Sequence, residues 1–442
     1  MTAGSAPQAT REAATAAVHV RVAYIMSRFP KITETFVLYE ILALEAHGVP
    51  VEVFPLLRER GDVVHPEAAA VVARAHFHPF VSWRILRAHL HYLRHRPAAY
   101  LSVLAEVLRG TWGSANFFVG ALGIFPKVVR FAFEMQVLGV THVHAHFATH
   151  PAAAALVIHR LTGIPFSFTA HGSDLHVDRR MLDRKVAAAA FAVTISAFNK
   201  EVMVQECGEW ACDKIHVVHC GVEPQIFPPR RSAHAGGHLR ILCVASFEEV
   251  KGHRYLIEAC RLLRERELHF SCDLVGTGPL QHEIEALVAA YRLQAVVRLH
   301  GARARREVVR MMAASDVLCL PSVPTTQGKR EGIPVVLMEA MATGLPVVSS
   351  RLSGIPELVA DGASGVLVEP RDSAGLAEAL AWLGTDPALR LRMGRAGRQI
   401  VEESFNLQAS ARRLASLFAA SRRGQRPAPA TRAAGSPQPC ST

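Results

Sequence analysis

The sequence predicts an α/β fold in which two doubly wound domains, each a parallel sheet covered by helices, face each other across a cleft. Apolar strand-like runs alternate with longer helical patterns in both halves of the chain, which is typical of parallel sheets. Residues 223–238, rich in proline and then in glycine, interrupt the pattern, which restarts after them. Two such Rossmann-like domains bind ligands outside the carboxyl ends of their strands, so the residues that follow each strand are the candidates for function.

The first half begins with a strand, a helix and a strand, the unit from which parallel sheets are built. The helix begins at Thr33 or Glu34, and Gly48 suits the cap after its last turn. Residues 65–135 have helical patterns. The strands predicted in this half are His19–Met26, Val51–Leu56, Thr141–Phe147, Pro165–Ala170, Ala192–Ile195 and Ile215–Val218.

The second half alternates strands and helices after the linker. Its predicted helices are Gly252–Arg266, Pro279–Tyr291, Arg305–Ala314 and Pro334–Thr343. Its predicted strands are Leu239–Ala245, His269–Val275, Val296–His300, Val317–Pro321, Pro346–Ser349 and Gly365–Val368. The predicted organisation is a disordered N-terminus at 1–17, a first domain at 18–222, the linker at 223–238, a second domain at 239–405, a helix at 406–420 that can pack back on the first domain, and a disordered basic tail at 421–442.

Composition indicates a packed globular protein of the cytoplasm. Half of the 442 residues are hydrophobic and a fifth are charged. Residues 1–17 lack the apolar segment of a secretory signal. The charge-free stretch Gly110–Pro126 falls short of the ~20 apolar residues that span a membrane, so we expect it to be buried or interfacial. The eight cysteines include no C-x-x-C pair, which indicates free thiols in a reducing compartment.

The formal net charge of +11 suits a phosphorylated ligand, an anionic membrane surface or nucleic acid. Seven arginines and lysines but a single acid, Glu106, lie between Arg84 and Arg130, and six aromatic residues from Trp83 to Phe118 interleave with them. This pattern is typical of a segment that lies on an anionic membrane, and we predict no nucleic-acid partner. A solvated helical face over a core has the same pattern, and the sequence leaves both interpretations open.

Two carboxylates eight positions apart, Glu331 and Glu339, flank the start of a predicted helix. Pro334 suits the first turn of that helix, whose N-terminal N–H groups and dipole attract phosphate. Carboxylates beside a phosphate repel it unless they bind neutral hydroxyls, and a nucleotide sugar offers hydroxyls on both sides of its diphosphate. By itself, the pair is better explained as a helix-capping glutamate and a surface glutamate.

Two more loops of the second half follow predicted strands. Lys251 lies at the start of a helix, where its charge can neutralise a leaving diphosphate, although alone it is equally an exposed lysine. Gly276 and Gly278 let a base or ribose approach the backbone. They do not form the dinucleotide-binding fingerprint, because Gln281 occupies its third glycine position.

Together these loops resemble the retaining glycosyltransferases of family 4, which have the GT-B fold. The resemblance covers the whole second domain in order and spacing. Its motifs are Lys251-Gly252, Gly276-Thr277-Gly278-Pro279, Ser315-Asp316-Val317, Pro321-Ser322, Glu331-Gly332-Ile333-Pro334, Glu339-Ala340, Gly344-Leu345-Pro346-Val347-Val348 and Gly354-Ile355-Pro356-Glu357.

The resemblance implies a nucleotide diphosphate sugar as the co-substrate and gives each site residue a role. Glu331 would bind hydroxyls of the donor sugar, Glu339 the ribose hydroxyls, and Lys251 the diphosphate. The donor-binding residues implied are Ser246, Lys251, Gly276, Gly278, Glu331, Gly332, Ile333, Pro334 and Glu339.

One position departs from the family pattern. The family usually has an arginine five residues before the lysine, and this chain has Ser246 there. Half of the implied diphosphate clamp is therefore missing. Arg303, Lys329 and Arg330 are the candidates to replace it.

The first domain resembles a subgroup of this family that builds bacterial exopolysaccharides and cell-surface glycans. The motifs are Ser27–Phe36, His144–Ala148 and Phe168–Asp174. The resemblance places the active-site histidine at His171, so the implied catalytic residues are His171, Lys251 and Glu331. The implied acceptor-side residues are Arg28, Thr33, Glu34, His144, His146, Ser173 and Asp174.

His142, His144 and His146 alternate along one predicted strand and share a face. Three histidines would suit a metal ion, but no acidic or cysteine residue lies at a sequence spacing that indicates a further ligand. The histidines are better explained as lining the cleft or holding neighbouring loops. The chain has no Asp-x-Asp, and a diphosphate held by Lys251 and helix N-termini needs no divalent ion. We therefore expect no metal and no cofactor.

The resemblance thus implies a cytoplasmic, metal-independent, retaining hexosyltransferase that acts on a glycan or lipid-linked acceptor, with peripheral contact to the inner membrane face. Two alternatives remain open. A nucleotide-sugar epimerase or hydrolase of the same fold would turn over the donor without an acceptor. A catalytically degenerate sugar-nucleotide-binding subunit is favoured by Ser246.

Overall fold

The computed structural model describes residues 20–31, 34–59, 67–230, 234 and 237–424. Within these residues the chain forms two six-stranded parallel sheets flanked by helices, and the predicted fold class is confirmed. The predicted disordered N-terminus, residues 425–442 of the predicted tail, and Thr33 lie outside the described residues.

The first sheet is built from the first half of the chain. Its strands are β1 (Val22–Phe29), β2 (Val51–Arg58), β3 (His142–His146), β4 (Phe166–Ala170), β5 (Phe191–Thr194) and β6 (Ile215–Val217). The helices are α1 (Thr35–Ala46), α2 (Ala68–Arg74), α3 (Trp83–His95), α4 (Pro97–Thr111), α5 (Ala115–Val137), α6 (His150–Thr162), α7 (Ser173–His176), α8 (Leu182–Ala188) and α9 (Ala197–Cys207). The strand order β2-β1-β3-β4-β5-β6 reverses between β1 and β3, which opens a crevice there.

The second sheet follows the linker. Its strands are β7 (Leu239–Val244), β8 (Phe270–Val275), β9 (Val297–Leu299), β10 (Val317–Leu320), β11 (Val347–Ser350) and β12 (Gly365–Val368). The helices are α10 (His253–Glu265), α11 (Gln281–Ala290), α12 (Arg305–Ala314), α13 (Val335–Ala342), α14 (Ile355–Leu358), α15 (Ser373–Thr385), α16 (Pro387–Ser404) and α17 (Leu407–Arg422). The order β12-β11-β10-β7-β8-β9 reverses between β7 and β10.

The central strands are buried on both faces, as parallel sheets require. Every residue of β3, β4, β5, β10 and β11 is buried. β1 lies three residues later than predicted, because it pairs along its whole length with β2, from Val22 opposite Val51 to Phe29 opposite Arg58. Its later end carries the chain to the edge of the crevice.

Helices α2–α5 occupy the stretch predicted to be helical. Within the described residues, α5 is the one helix that is long and apolar enough to cross a membrane by length and composition. Nine of its residues are buried, and it packs against α3, α4 and α6. These contacts are those of a core helix of the first domain.

Seven cysteines lie in the described part of the chain. Six are free thiols, and Cys212 is disulfide-bonded, so the prediction of free thiols is wrong at that position. Cys243, Cys260, Cys272 and Cys319 are buried and pack as small apolar side chains in the core of the second domain.

Helix α17 leaves the second domain and crosses back to the first. Leu414, Leu417 and Phe418 are buried in the core formed by β1, β2 and α1. The ring of Phe418 lies 5.0 Å from that of His142, measured between centroids. The last helix therefore completes the first domain.

A carboxylate of the second domain also caps a helix of the first. The backbone N–H groups of Ala197 and Phe198, at the start of α9, donate to the two oxygens of Glu357 at 2.8 and 3.0 Å. A negative charge at a helix N-terminus stabilises its free N–H groups. This contact fixes the two sheets relative to each other beside the cleft.

Candidate active site

The two domains touch where His171 meets Gly332. His171 follows β4 at the carboxyl edge of the first sheet, and Gly332 precedes α13 in the second domain. A Cβ atom on residue 332 would lie 2.4 Å from the carbonyl oxygen of His171, so a side chain larger than that of glycine would push the domains apart. Ile333 and Pro334 are buried next to this contact, and Pro334 caps the N-terminus of α13.

Lys251 and Glu331 form an ion pair at the same junction. Nζ lies 2.5 Å from Oε2, and the two side chains are only 19% and 18% exposed. Lys251 ends a 3-10 turn, and Gly252 then turns the chain into α10 with a φ of +69°. A Cβ atom at Gly252 would lie 1.9 Å from the carbonyl oxygen of Pro321, so the lysine loop packs directly on the end of β10.

Ser246 is connected to a second lysine through Glu248. Its Oγ donates to one carboxylate oxygen of Glu248 at 3.1 Å, and Lys329 Nζ donates to the other at 2.9 Å. Lys329 holds the pKa of the Glu248 carboxyl below its ordinary value. Arg303 and Arg330 are exposed. Among the three candidates to replace the missing arginine, Lys329 is thus the one joined to Ser246 through a shared carboxylate.

Glu339 lies in the second turn of α13 and faces a cavity between the domains. The Nε atom of Arg305 lies 3.7 Å from its Oε1. Burial raises the pKa of the Glu339 carboxyl, and Arg305 opposes this effect. The space there, which is partly open to solvent, amounts to about 320 Å³. Its walls are Thr35, Phe36 and Tyr39 from α1, Gly221, Val222, Glu223 and Ile226 from the linker region, and Arg305, Val335, Glu339 and Leu407.

Gly276 and Gly278 allow two loops of the second domain to pack closely. A Cβ atom at Gly276, where φ is +144°, would lie 1.9 Å from the carbonyl oxygen of Ala245. One at Gly278 would lie 2.6 Å from the carbonyl oxygen of Phe247. The glycine loop therefore supports the loop that carries Ser246 and Lys251.

The His171 side chain is buried behind the cleft wall, with 8% of the residue exposed. Its Nε2 lies 3.0 Å from Nδ1 of His146, and its Nδ1 lies 4.0 Å from Sγ of Cys220. Its ring packs 4.7 Å from that of Phe36, which lines the cavity. Burial, and then the neighbouring His146, hold the pKa of His171 well below its ordinary value, so the ring is neutral at physiological pH.

The other two histidines of β3 bind hydroxyl groups of β4. His142 Nε2 and His144 Nδ1 share Ser167 Oγ at 2.7 and 2.8 Å, and His144 Nε2 lies 2.9 Å from Thr169 Oγ1. Burial lowers the pKa of His142 to about 3 and that of His144 well below its ordinary value. These partners favour a role in joining neighbouring strands.

One group in the described part of the chain has the composition and spacing of metal ligands. It comprises Glu40, His144 and His146, whose potential ligand atoms all lie within 4.8 Å of one another. His142 is not a member. Both ring nitrogens of His144 already have hydroxyl partners, so a metal ion bound there would have to displace one of them.

Asp174 is buried and organises the two loops around His171. Its Oδ1 accepts from the backbone N–H groups of His171 and Gly172 at 3.0 and 2.8 Å, and its Oδ2 accepts from that of Ala148 at 2.7 Å. Lys185 of α8 donates to the carbonyl oxygen of Ala148, and burial lowers its pKa to about 8. Asp174 therefore acts on the cleft through the backbone that it holds.

The remaining acceptor-side residues do not cluster. Arg28 and Ser173 are exposed. Glu34 accepts from Lys31 Nζ at 2.5 Å. Thr33 lies outside the described residues. His144 and His146 are fully buried, so they reach the cleft only through their neighbours.

Three residues of this region were not predicted from the sequence. Lys185 carries no motif. Arg305 and Tyr39 close the cavity over Glu339, with the guanidinium carbon of Arg305 4.6 Å from the ring centroid of Tyr39. A usable signal exists for Tyr39, because three positions along α1 separate it from Phe36 on the same helical face.

Comparisons with known proteins agree with this geometry. Residues 227–400 match the model of the family described as glycosyl transferases group 1. The amylovoran biosynthesis glycosyltransferase AmsK of Erwinia amylovora is 30% identical over 422 residues, which span 90% of this chain and 99% of AmsK. WcaL of Escherichia coli strain K12, a glycosyltransferase named for colanic acid biosynthesis, is 32% identical over 437 residues, which span 91% of this chain and all of WcaL.

Solved structures share the fold at low identity. Anabaena Alr3699/HepE in complex with UDP-glucose has a TM-score of 0.65 at 14% identity, over 91% of this chain and 100% of that one. The sucrose-phosphate synthase of Thermosynechococcus elongatus has a TM-score of 0.67 at 20% identity, over 90% and 98% of the two chains. Both support the arrangement of two facing domains.

Proposed function

The chain belongs to the glycosyl transferases of group 1, and we propose that within this family it is a retaining, metal-independent hexosyltransferase of cell-surface polysaccharide biosynthesis. The donor is a nucleoside diphosphate sugar, and the acceptor is a glycan or a lipid-linked glycan. The observation that carries the proposal is the Lys251–Glu331 ion pair beside His171, where the carboxyl ends of both sheets meet. The names of AmsK and WcaL support the biosynthetic class.

The proposed reaction breaks the bond between the anomeric carbon and the diphosphate. Negative charge then collects on the leaving phosphate, and Lys251 with the N-terminal N–H groups of α13 stabilises it. A bound diphosphate replaces Glu331 as the partner of Lys251, and Glu331 becomes available to the sugar hydroxyls. The acceptor oxygen bonds to the anomeric carbon on the face that the phosphate leaves, and its proton passes to that phosphate.

The ribose is proposed to occupy the cavity beside Glu339. A carboxylate accepts hydrogen bonds from two adjacent hydroxyls, and its burial strengthens them. Arg305 favours the ionised form that accepts them. The domains both contribute to this cavity, so donor binding and domain closure are linked.

Lys329 is the proposed replacement for the arginine that the family has at position 246. Lys329 is connected to the Ser246 loop through Glu248, which accepts hydrogen bonds from both Ser246 and Lys329. A diphosphate entering beside Ser246 would compete with Glu248 for this lysine. The clamp would then consist of Lys251 and Lys329.

The proposed acceptor side faces an anionic membrane through α3. Arg84, Arg87 and Arg94 are exposed on this helix, and a row of large apolar side chains is exposed with them. A merely solvated helical face would not present such a row, whereas an interfacial helix requires one. The exposed apolar residues of α3 are Trp83, Leu86, Leu90 and Leu93.

Donor screening by mass spectrometry tests the proposed function. The purified protein is incubated with a panel of nucleoside diphosphate sugars, with and without a bacterial lipid extract. Sugar transfer that requires the extract supports the proposal. Donor turnover without an acceptor indicates an epimerase or hydrolase instead. Nucleotide binding in a calorimeter without any turnover indicates the binding subunit that Ser246 favours.

A further inference from the structure

The N-terminal half of α5 is mostly exposed, although its composition is that of a buried helix. The stretch Gly110–Pro126, which includes this half, carries no charged side chain. Within residues 115–124 of the helix only Phe117 and Ala121 are buried, whereas seven residues are buried from Phe125 to its end. The first half of α5 therefore presents apolar surface that the described part of the chain does not cover, and such surface marks a site of contact.

Three large apolar side chains form this surface. Trp112, in the turn between α4 and α5, is 72% exposed, and Val119 and Leu122 are 67% and 42% exposed. Val119 and Leu122 lie three positions apart and so share a face of the helix. The ring of Trp112 meets that of Phe118 edge-on, with 5.6 Å between the centroids, which holds the tryptophan against α5. Trp112, Val119 and Leu122 are called the α4–α5 corner below.

The α4–α5 corner is fixed to the loop between α7 and α8. The guanidinium group of Arg180 donates to the carbonyl oxygens of Trp112 and Gly113 at 3.0 and 3.1 Å. Ser114 Oγ donates to Asp178 Oδ2 at 3.0 Å. Helix α7 follows the carboxyl end of β4, so these hydrogen bonds hold the corner to the chain that comes directly from the cleft.

The inner face of the same half-helix packs on the start of α6. The ring of Phe117 stacks on that of His150, with 4.8 Å between the centroids. A Cβ atom at Gly120 would lie 2.2 Å from His150 Nε2, so glycine lets the two helices approach. Helix α6 follows the carboxyl end of β3. The exposed half of α5 therefore lies on the side of the first sheet where its strands end, which is the side of the cleft.

The charge around the α4–α5 corner favours an anionic membrane as its partner. Helices α3, α4 and α5 contain two acids, Glu106 and Glu134. Glu106 is paired with Arg160, and Glu134 with Arg130. Four exposed arginines have no ion pair within the described residues, and they are Arg84, Arg87, Arg94 and Arg109. A bilayer offers anionic headgroups to these arginines and, beneath them, acyl chains to an uncharged apolar tip that carries a tryptophan.

We propose that the α4–α5 corner inserts into the acyl region of an anionic membrane, while the arginines of α3 and α4 stay among the headgroups. This inference rests on the membrane contact in the proposed function and names the element that enters the bilayer. Helix α3 by itself would hold the protein at the surface at one place. A second contact beside the cleft fixes the orientation, so a lipid-linked acceptor reaches the cleft while its lipid stays in the membrane.

The four tryptophans of the chain provide the test, because all are exposed. Trp83 lies on α3, Trp112 at the corner, Trp210 between α9 and β6, and Trp382 on α15. Four variants of the full chain each keep one tryptophan and carry phenylalanine at the other three positions. Their fluorescence is measured with vesicles of equal parts phosphatidylglycerol and phosphatidylcholine, the latter with or without bromine in the upper acyl chain. We expect bromine to quench Trp112 most and to leave Trp210 and Trp382 unquenched.

Val119→Asp in the otherwise natural chain gives a second measurement that needs no tryptophan replacement. A carboxylate is unfavourable among acyl chains, so we expect binding to the same vesicles to fall at least about tenfold. Val137→Asp is the matched control, because Val137 ends the same helix and is 73% exposed, against 67% for Val119. The control should bind vesicles as the wild type does. Circular dichroism spectra check the folding of both variants.

The outcomes separate this inference from the proposed function. Quenching of Trp83 without quenching of Trp112 overturns the insertion of the corner and leaves the membrane contact of α3 standing. Equal quenching of all four tryptophans indicates unspecific adsorption and also overturns the insertion, as does unchanged vesicle binding in Val119→Asp. If bromine quenches none of them, the membrane contact in the proposed function fails as well, whereas sugar transfer is judged by the donor screen.

Discussion

Arg305 links a carboxylate of one domain to an aromatic ring of the other. Its Nε lies 3.7 Å from Glu339 Oε1, and its guanidinium carbon lies 4.6 Å from the ring centroid of Tyr39. Glu339 and the face of α1 that carries Tyr39 therefore share one cation. We therefore expect a substitution at Arg305 to change the affinity for nucleotide.

Arg305→Met should shift the pH dependence of nucleotide binding. Arg305 opposes the burial that raises the pKa of Glu339, so its loss raises that pKa further. The protonated carboxyl then persists to higher pH and accepts hydrogen bonds less well. We expect calorimetric titrations with nucleoside diphosphates to show that, as the pH falls, affinity is lost at a higher pH in Arg305→Met than in the wild type. At alkaline pH the two proteins should bind with the same affinity. Arg298→Met on the edge strand β9 is the control, and an unchanged profile in Arg305→Met would contradict the role of Glu339.

Lys251→Ala should reduce turnover by roughly 10²–10³-fold, the usual effect of removing one group that stabilises developing charge. The loss should lie in kcat, because the charge develops during bond breaking. Arg261→Ala on α10 removes an ion pair of the same 2.5 Å length, with Glu265, and serves as the control. Donor turnover within a few-fold of the wild type in Lys251→Ala would remove the lysine from the mechanism.

Lys329→Met should weaken diphosphate binding if this lysine replaces the missing arginine. We expect about a tenfold loss, comparable to one charge-assisted hydrogen bond. Adding Ser246→Arg to this variant should restore binding, because it rebuilds the clamp from the family position. If Lys329→Met binds normally and Ser246→Arg alone strengthens binding, the clamp is incomplete in the natural chain.

Sugar transfer should survive excess EDTA, because Lys251 and the N-terminus of α13 supply fixed positive charge. The measurement is transfer rate after dialysis, together with the metal content of the dialysed protein. Complete loss that zinc or manganese restores would identify ligands among Glu40, His144 and His146, or among the three histidines of β3. Lys251 would then share its role with the metal.

Charge reversal at Arg84, Arg87 and Arg94 should release the protein from anionic vesicles. Each basic residue close to such a surface contributes about 1 kcal/mol, and added salt should weaken binding of the wild type. Reversal of three exposed arginines of the second domain, Arg310, Arg392 and Arg395, is the control and should leave vesicle binding intact. A wild type that ignores anionic vesicles at low salt would make the α3 surface a solvated face and the acceptor a soluble one.

The strands and the position of the loops that follow them were predictable for a physical reason. Strands buried on both faces are continuous apolar runs, and the residues that follow them must lie at one edge of a parallel sheet. The orientation of His146 and Asp174 was not predictable in this way. A polar residue at or just after the end of a strand suits a cleft wall and a buried network equally. The contacts of the folded chain decide between them: His146 meets Glu40 of α1, and Asp174 accepts from the backbone of Ala148. Tyr39 and Arg305 meet only after the domains have been placed together.

Helix α17 has a consequence for how the protein is made. Phe418 and Leu417 complete the core of the first domain, although they lie almost at the end of the described chain. While a ribosome is still translating the second domain, the apolar surface around β1 and α1 has no cover. The first domain is then completed after the second, and exposed apolar surface of this kind favours aggregation until it is covered. A protein released early, before α17, would have a complete second domain and a first domain whose core around β1 and α1 is left open.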